Sequence, residues 1–278
     1  MNVPRDRHFI PAFYLKRWTT GGKLIEFSML RGKVVSKSVG SRGTGYERDL
    51  YSFPDLPEAT HQILESKFFN KTDDLAHRAL CLLESGREVD AADLRSAWSR
   101  FILNLKPRHP DPFAEMRIHI RDGWMRSDAP IEEAYAAARP AGYPDTFELF
   151  VSLGSETLAK ILLRLLQSVL DNARTNQRIN HMCWNVLRLR RSKFELLTSD
   201  WPAEILLRDG VISLPIGPRL LFVAATTETL LRRIGSSDQT ELVTKLNRFV
   251  VGRARRFVYS TNHQQQGLMK KIYVGGYR

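Results

Sequence analysis

Two cysteines in 278 residues, Cys81 and Cys183, exclude a disulfide framework and a cysteine-built zinc site. They read instead as small, buried apolar side chains. No apolar run reaches the roughly 18 residues that span a bilayer, and the nearest, LAKILLRLLQSVL, is interrupted by Lys160 and Arg164. The amino end lacks the basic, apolar and small-residue succession of a secretory signal. Also missing are a glycine-rich phosphate loop, a G-x-S-x-G elbow and an H-E-x-x-H metal pair. The expectation is a soluble, cytoplasmic chain that needs no membrane, metal or cofactor; oligomeric state leaves no signature in the sequence.

What is present is apolar bulk and positive charge. Hydrophobic residues make up 43% and aromatics 10%, enough for an ordered globule with a substantial core. The formal net charge of +12 is unevenly spread. Residues 1–48 hold 10 Lys/Arg against 3 Asp/Glu, 49–171 hold 14 against 20, 172–218 hold 7 against 4, and 219–278 hold 11 against 3. Basic ends around an acidic middle imply one layer with a positive face, which attracts polyanions, nucleic acid first. Charge that serves only solubility gives the same totals.

The chain reads as α+β: an antiparallel sheet built from both chain ends, with a helical block inserted between them. One domain is expected, with a β-rich part over 1–53, helices over 54–177, hairpins and a helix over 178–260, and a tail over 261–278. KLIEFSMLRGKVVSKSV predicts a hairpin, Leu24–Ser28 and Lys33–Val39, turning at Arg31-Gly32. RDLYSF is a further short strand. Helical spacing covers 58–84. Asp90 reads as the cap of a helix carrying Trp98, Phe101, Ile102 and Leu105, which KPRHPDP terminates. Asp111 reads as the cap of the next helix, with Pro112 at its first position. Residues 127–148 are polar and Ala-rich, and 155–175 predict a helix apolar on most of its surface. Strand-like runs then fill 183–225, with a hairpin at Asp209-Gly210. TTETLLRRI is helical, and Asp238 with Glu241 forms a capping box for a helix reaching about Tyr259. Leu24–Val39 is expected in the same sheet as Trp184–Ala225.

Three separated blocks carry a family likeness. HFIPAFYLKRW resembles the His-x-x-Pro-x-x-Tyr-Leu opening of the domain of unknown function 4238 family. WNVLRLRRSKFELLTSDWPAE is similar to its Trp, spacer and Thr-Ser-Asp-x-Pro block. ISLPIGPRLLFVAA with LNRFVVGRARRFVYS resembles its strand and closing helix with an Asn. The likeness covers almost the whole chain. It departs at NLKPRHP, where the family often has Arg before Thr-Pro and Lys106 here precedes Pro107. The resemblance implies a soluble, mostly microbial protein and assigns no activity.

Two readings of the matched polar residues stand side by side. In the first, His8 and Tyr14 meet Ser199 and Asp200 at a strand end and form a His/Asp centre for metal-independent phosphodiester cleavage. Arg17, Lys106 or Arg108 then stabilises the anionic transition state. In the second, Asp200 before Trp201-Pro202 is an Asx-turn, His8 and Tyr14 anchor the terminus, and the chain is a non-enzymatic binding or protein-interaction module. Arg188, Arg190 and Arg191 on a hairpin turn, and Arg253 and Arg256 on one face of the last helix, read with Arg17 and Lys106 as phosphate contacts or as solvated surface. Trp184, Trp201 and Phe257 are the candidate base-stacking rings. Asp55 with Glu65-Ser66-Lys67 spells a metal-nuclease motif, but on a helix Glu65 and Lys67 lie about 200° apart.

Overall fold

The structure, a computed structural model, describes residues 6–51, 69–125, 170–206 and 209–274, with scattered positions between 133 and 167. The helix expected over 155–175 therefore lies largely outside the described residues, as do Asp55, Glu65 and Lys67 and most of 127–148.

The architecture is α+β, with antiparallel sheets and helices packed around them. β1 (Asp6–His8) pairs with β4 (Tyr46–Arg48) in a two-stranded ribbon. Between them Pro11 opens a single helical turn, α1 (Ala12–Leu15), continued as a 3-10 turn over Lys16–Trp18. β2 (Leu24–Leu30) and β3 (Lys33–Val39) form the expected hairpin in register from Leu24↔Val39 to Leu30↔Lys33. Both turn residues have positive φ, 49° at Arg31 and 75° at Gly32, as a twist-matched two-residue turn requires.

α2 (Asn70–Ser85) and α3 (Ala92–Asn104) pack together, and α4 (Pro110–Met125) follows the proline-rich break. Asp90 does not cap α3. The cap position is Ala91, and Asp93 Oδ1 accepts the Leu94 N–H at 2.8 Å. α4 begins at Pro110, one residue before the expected cap, with Asp111 in its first turn. α5 (Ala173–Asn180) lies against α3.

The next strands form a four-stranded antiparallel sheet in the order β5-β9-β8-β7. They are β5 (Cys183–Arg188), β7 (Glu204–Leu206), β8 (Val211–Gly217) and β9 (Leu220–Ala225). Gly210 turns β7 into β8 with φ 70°, and a Cβ there would collide with Thr226. β6 (Thr198–Ser199) leaves this sheet for the other, ordered β3-β2-β10-β6. The hairpin 24–39 thus does not share a sheet with 183–225, apart from those two residues.

Its direct neighbour is β10 (Val258–Ser260), in a stretch expected to be helical. Helix α6 (Glu228–Gly235) is capped by Thr227, and helix α7 (Gln239–Arg253) by Asp238, whose Oδ1 accepts the Glu241 N–H at 2.9 Å. α7 stops at Arg253 because Ala254 is extended and the next three amides bond a carboxylate instead of helix carbonyls. The freed chain adds β10 between β2 and β6. The expected tail also contains a helix, α8 (Gln266–Val274), which packs on α7 and β3 through the fully buried Met269.

The core explains the aromatic opening stretch. Phe9, Ile10, Tyr14, Leu15 and Trp18 have no exposed surface. The Tyr14 ring lies 5.2 Å from Trp18 and 5.9 Å from Phe101, which stacks on Trp98. Each such side chain contributes about 1.5–3 kcal/mol by burial, so residues 9–18 are held as firmly as any strand. The cysteines are less hidden than expected: Cys81 is exposed and Cys183 half-buried, neither in a disulfide.

A closed Asp200 centre and a basic cleft beside it

Tyr14 spans the two large sheets. Its hydroxyl donates to the Pro215 carbonyl in β8 at 2.7 Å, so the Thr198 hydroxyl in β6, also at 2.7 Å, is left as its donor. Burial pushes the phenol far above its ordinary value. Trp18 adds a second tie, its indole N–H donating to the Leu196 carbonyl at 2.8 Å.

Asp200 sits directly after β6 with no exposed surface. Its Oδ1 accepts the Arg255 N–H at 2.9 Å, and Oδ2 accepts those of Arg256 at 2.6 Å and Phe257 at 3.0 Å. The fourth partner is His109, whose Nε2 stands 3.4 Å from Oδ2. The His109 Nδ1 accepts the Asp111 amide at 3.3 Å, which places the ring proton on Nε2, facing Asp200. His109 too is fully buried, with the Phe9 ring at 5.1 Å. Ser199 Oγ accepts the Trp201 N–H at 3.0 Å, a local turn bond. A carboxylate with this partner set is fully buried and closes a chain junction.

The histidine expected beside Asp200 is elsewhere. His8 Nε2 meets the Arg42 carbonyl at 3.3 Å, and its ring lies 5.7 Å from Tyr46. Burial pushes its pKa down, partly offset by that carbonyl. His109 was missed because PRHPD reads as a helix terminator. Its signal was a histidine between Pro107 and Pro110, at the break between two helices.

The expected cations divide into three groups. Arg17 is locked by Glu84 at 2.6 and 3.0 Å and by the Phe13 carbonyl, and Arg188 reaches the Glu84 carbonyl at 2.8 Å. Arg256 is not on α7 and does not share a helical face with Arg253. It follows the helix end and pairs with Glu47 at 2.7 Å and Asp111 at 2.9 Å. Arg190 and Arg191 are exposed on the loop after β5. Only Lys106 and Arg253 join the aromatic surface next to Asp200.

That surface is a cleft of about 1070 Å³ between the end of α7, the first turn of α4 and α8. Arg248, Arg253, Arg255 and Lys271 line it, with Asp111 as the opposing charge and Trp201, Phe249, Leu268 and Ile272 as its apolar wall. Trp201 is half-buried, with the Arg255 guanidinium 5.1 Å and the Lys106 ammonium 5.3 Å from its ring centroid. Arg253 lies 5.6 Å from the Phe249 ring. The rings hold the cations by cation–π attraction while their N–H groups stay free for solvent or an anion. Asp111 is matched by Arg256 behind it, so the cleft is left strongly positive.

The sequence pattern of the family described as protein of unknown function (DUF4238) matches residues 7–264. The chain belongs to this family. No curated protein and no solved structure matches it. Arg108 is buried, donates from Nη1 to Asp73 Oδ2 at 3.1 Å, forms an ion pair with the same carboxylate at 2.8 Å and is set 4.1 Å from the Phe69 ring. Burial pushes the Asp73 carboxyl up and Arg108 pulls it back.

Proposed function

We propose that the protein binds single-stranded nucleic acid in the Trp201 cleft and does not cleave it. The observation that carries this reading is the placement of Lys106 and Arg255 over the Trp201 ring, at the edge of a cleft with three further cations. Cations beside an aromatic wall in a positive groove are what binding of a single strand without sequence preference uses. Duplex DNA is the poorer fit, because its bases are stacked and cannot reach a half-buried ring. Cleavage at Asp200 has less support: Asp200 and His109 are both fully buried, and the carboxylate already accepts from three amides and a ring. A cytoplasmic location is part of the proposal and is supported by two unpaired cysteines.

Fluorescence anisotropy with a labelled oligonucleotide, titrated with salt, tests this. Five cations that each neutralise a phosphate give a log–log slope of about −3.5, or roughly a 130-fold loss of affinity between about 50 and 200 mM salt. Affinity that is flat across that range, or oligonucleotide cut by the purified protein, overturns the reading.

A further inference from the structure

The loop between β5 and β6 puts an aromatic ring in solvent for no packing reason. Phe194 is 46% exposed, although the loop that carries it is pinned throughout. Ser192 Oγ accepts the Phe194 N–H at 3.2 Å and donates to its carbonyl at 2.8 Å. Arg219 donates to the carbonyls of Ser192 and Phe194 at 2.6 and 3.2 Å. The Arg191 N–H reaches Gln239 Oε1 at 2.8 Å and the Lys193 N–H reaches Thr240 Oγ1 at 3.2 Å, which fixes the loop against the first turn of α7. All of these bonds use loop backbone or the Ser192 hydroxyl, so the exposed side chains of Arg190, Arg191, Lys193 and Phe194 are left to face outward.

α7 connects this loop to the cleft. Its 15 residues run from Gln239, beside the loop, to Arg253, in the cleft wall, a rise of roughly 21 Å. Glu241, Lys245 and Arg248 recur at helical spacing on its exposed face, two cations and one acid, and Arg248 belongs to the cleft lining. Basic groups thus lie in the loop beside the acidic first turn of this helix and at its middle and end, with a partly exposed ring near each end.

We propose that the 190–194 loop is the distal end of the nucleic-acid path that starts at Trp201. A single strand crosses the exposed face of α7 and stacks a base on Phe194. This rests on the cleft reading. At about 3.4 Å per stacked nucleotide, and roughly twice that when the strand is extended, the path takes about three to six nucleotides, so a dinucleotide occupies the cleft without touching the loop.

The experiment compares labelled single strands of about 2 and about 12 nucleotides. The proteins are the parent, an Arg190→Gln/Arg191→Gln/Lys193→Gln triple variant and Phe194→Ala. The triple variant is expected to bind the long strand at least 10-fold more weakly, with a salt slope shallower by about 2. Phe194→Ala loses roughly 10-fold on the long strand. Neither changes binding of the short one, and unchanged thermal unfolding shows that the loop is intact. If the parent binds both strands and the variants match it on the long one, the path is wrong and the cleft reading survives. Equal losses on both lengths also overturn the path. A parent that binds neither strand overturns the cleft reading, and the path with it.

Discussion

Asp200, which solvent does not reach, and Trp201, half-buried at the cleft, are joined by one peptide bond and both rest on the stretch that follows α7. At Asp200 the backbone amides of 255–257 converge inward on a carboxylate. At Trp201 the side chain of Arg255, from the same stretch, reaches outward over a ring. The backbone of this junction therefore stabilises the fold, while the Arg255 side chain faces the cleft. The most distinctive polar letters of the Thr-Ser-Asp-x-Pro block belong to the first role, and the neighbouring aromatic and scattered basic residues belong to the second.

The comparison breaks most sharply at Asp200→Ala. Three amides and the His109 N–H lose a fully buried acceptor, so unfolding in urea should show a loss of about 3 kcal/mol or more. Tyr14→Phe comes next. Thr198 and the Pro215 carbonyl lose a partner at the junction of the two sheets, and the expected cost is about 1–3 kcal/mol by the same measurement. Arg248→Gln with Arg253→Gln should do the reverse: stability within about 0.5 kcal/mol of the parent, and a salt slope for single-strand binding shallower by about 1.4. A pair of cleft substitutions that unfolds the protein, or an Asp200→Ala protein as stable as the parent, would erase the distinction. His8 gives the smallest effect. Its folded pKa lies below the unfolded value because burial disfavours the charged ring, so its contribution is present above the unfolded value and is lost as pH falls through the folded one. His8→Gln should flatten the decline of melting temperature on acidification from neutral pH.

Local chemistry made much of the fold legible. The 24–39 hairpin announced itself by β-rich runs around Arg31-Gly32, and Asp238 and Thr227 cap their helices through side-chain oxygens three residues back from the amides they accept. What escaped were decisions made at long range. The helical spacing of 239–253 gives no warning of its end, because the acceptor that captures the next amides is Asp200, more than fifty residues earlier. With that stop hidden, β10 was hidden too, and the two sheets merged into one in the sequence reading. The site followed the same rule. Asp200 stood out as a polar residue needing a partner, but a sequence does not rank His8 over His109. The cleft draws on α4, α7, α8 and the turn after β6, with no local pattern of its own.

The pairing of β2 with β10 joins Phe27 to Val258, so the edge of the first long hairpin meets its partner only after more than two hundred further residues have been made. During synthesis at about 5–20 residues per second that edge stays open for roughly 10–50 s, and the Tyr14 tie to Pro215 forms only shortly before. An unpaired strand edge carrying Ile25 and Phe27 is a template for association with other nascent chains. Products truncated before residue 258 are therefore expected to aggregate more readily than the full chain, because the strand that covers this edge comes more than two hundred residues after it.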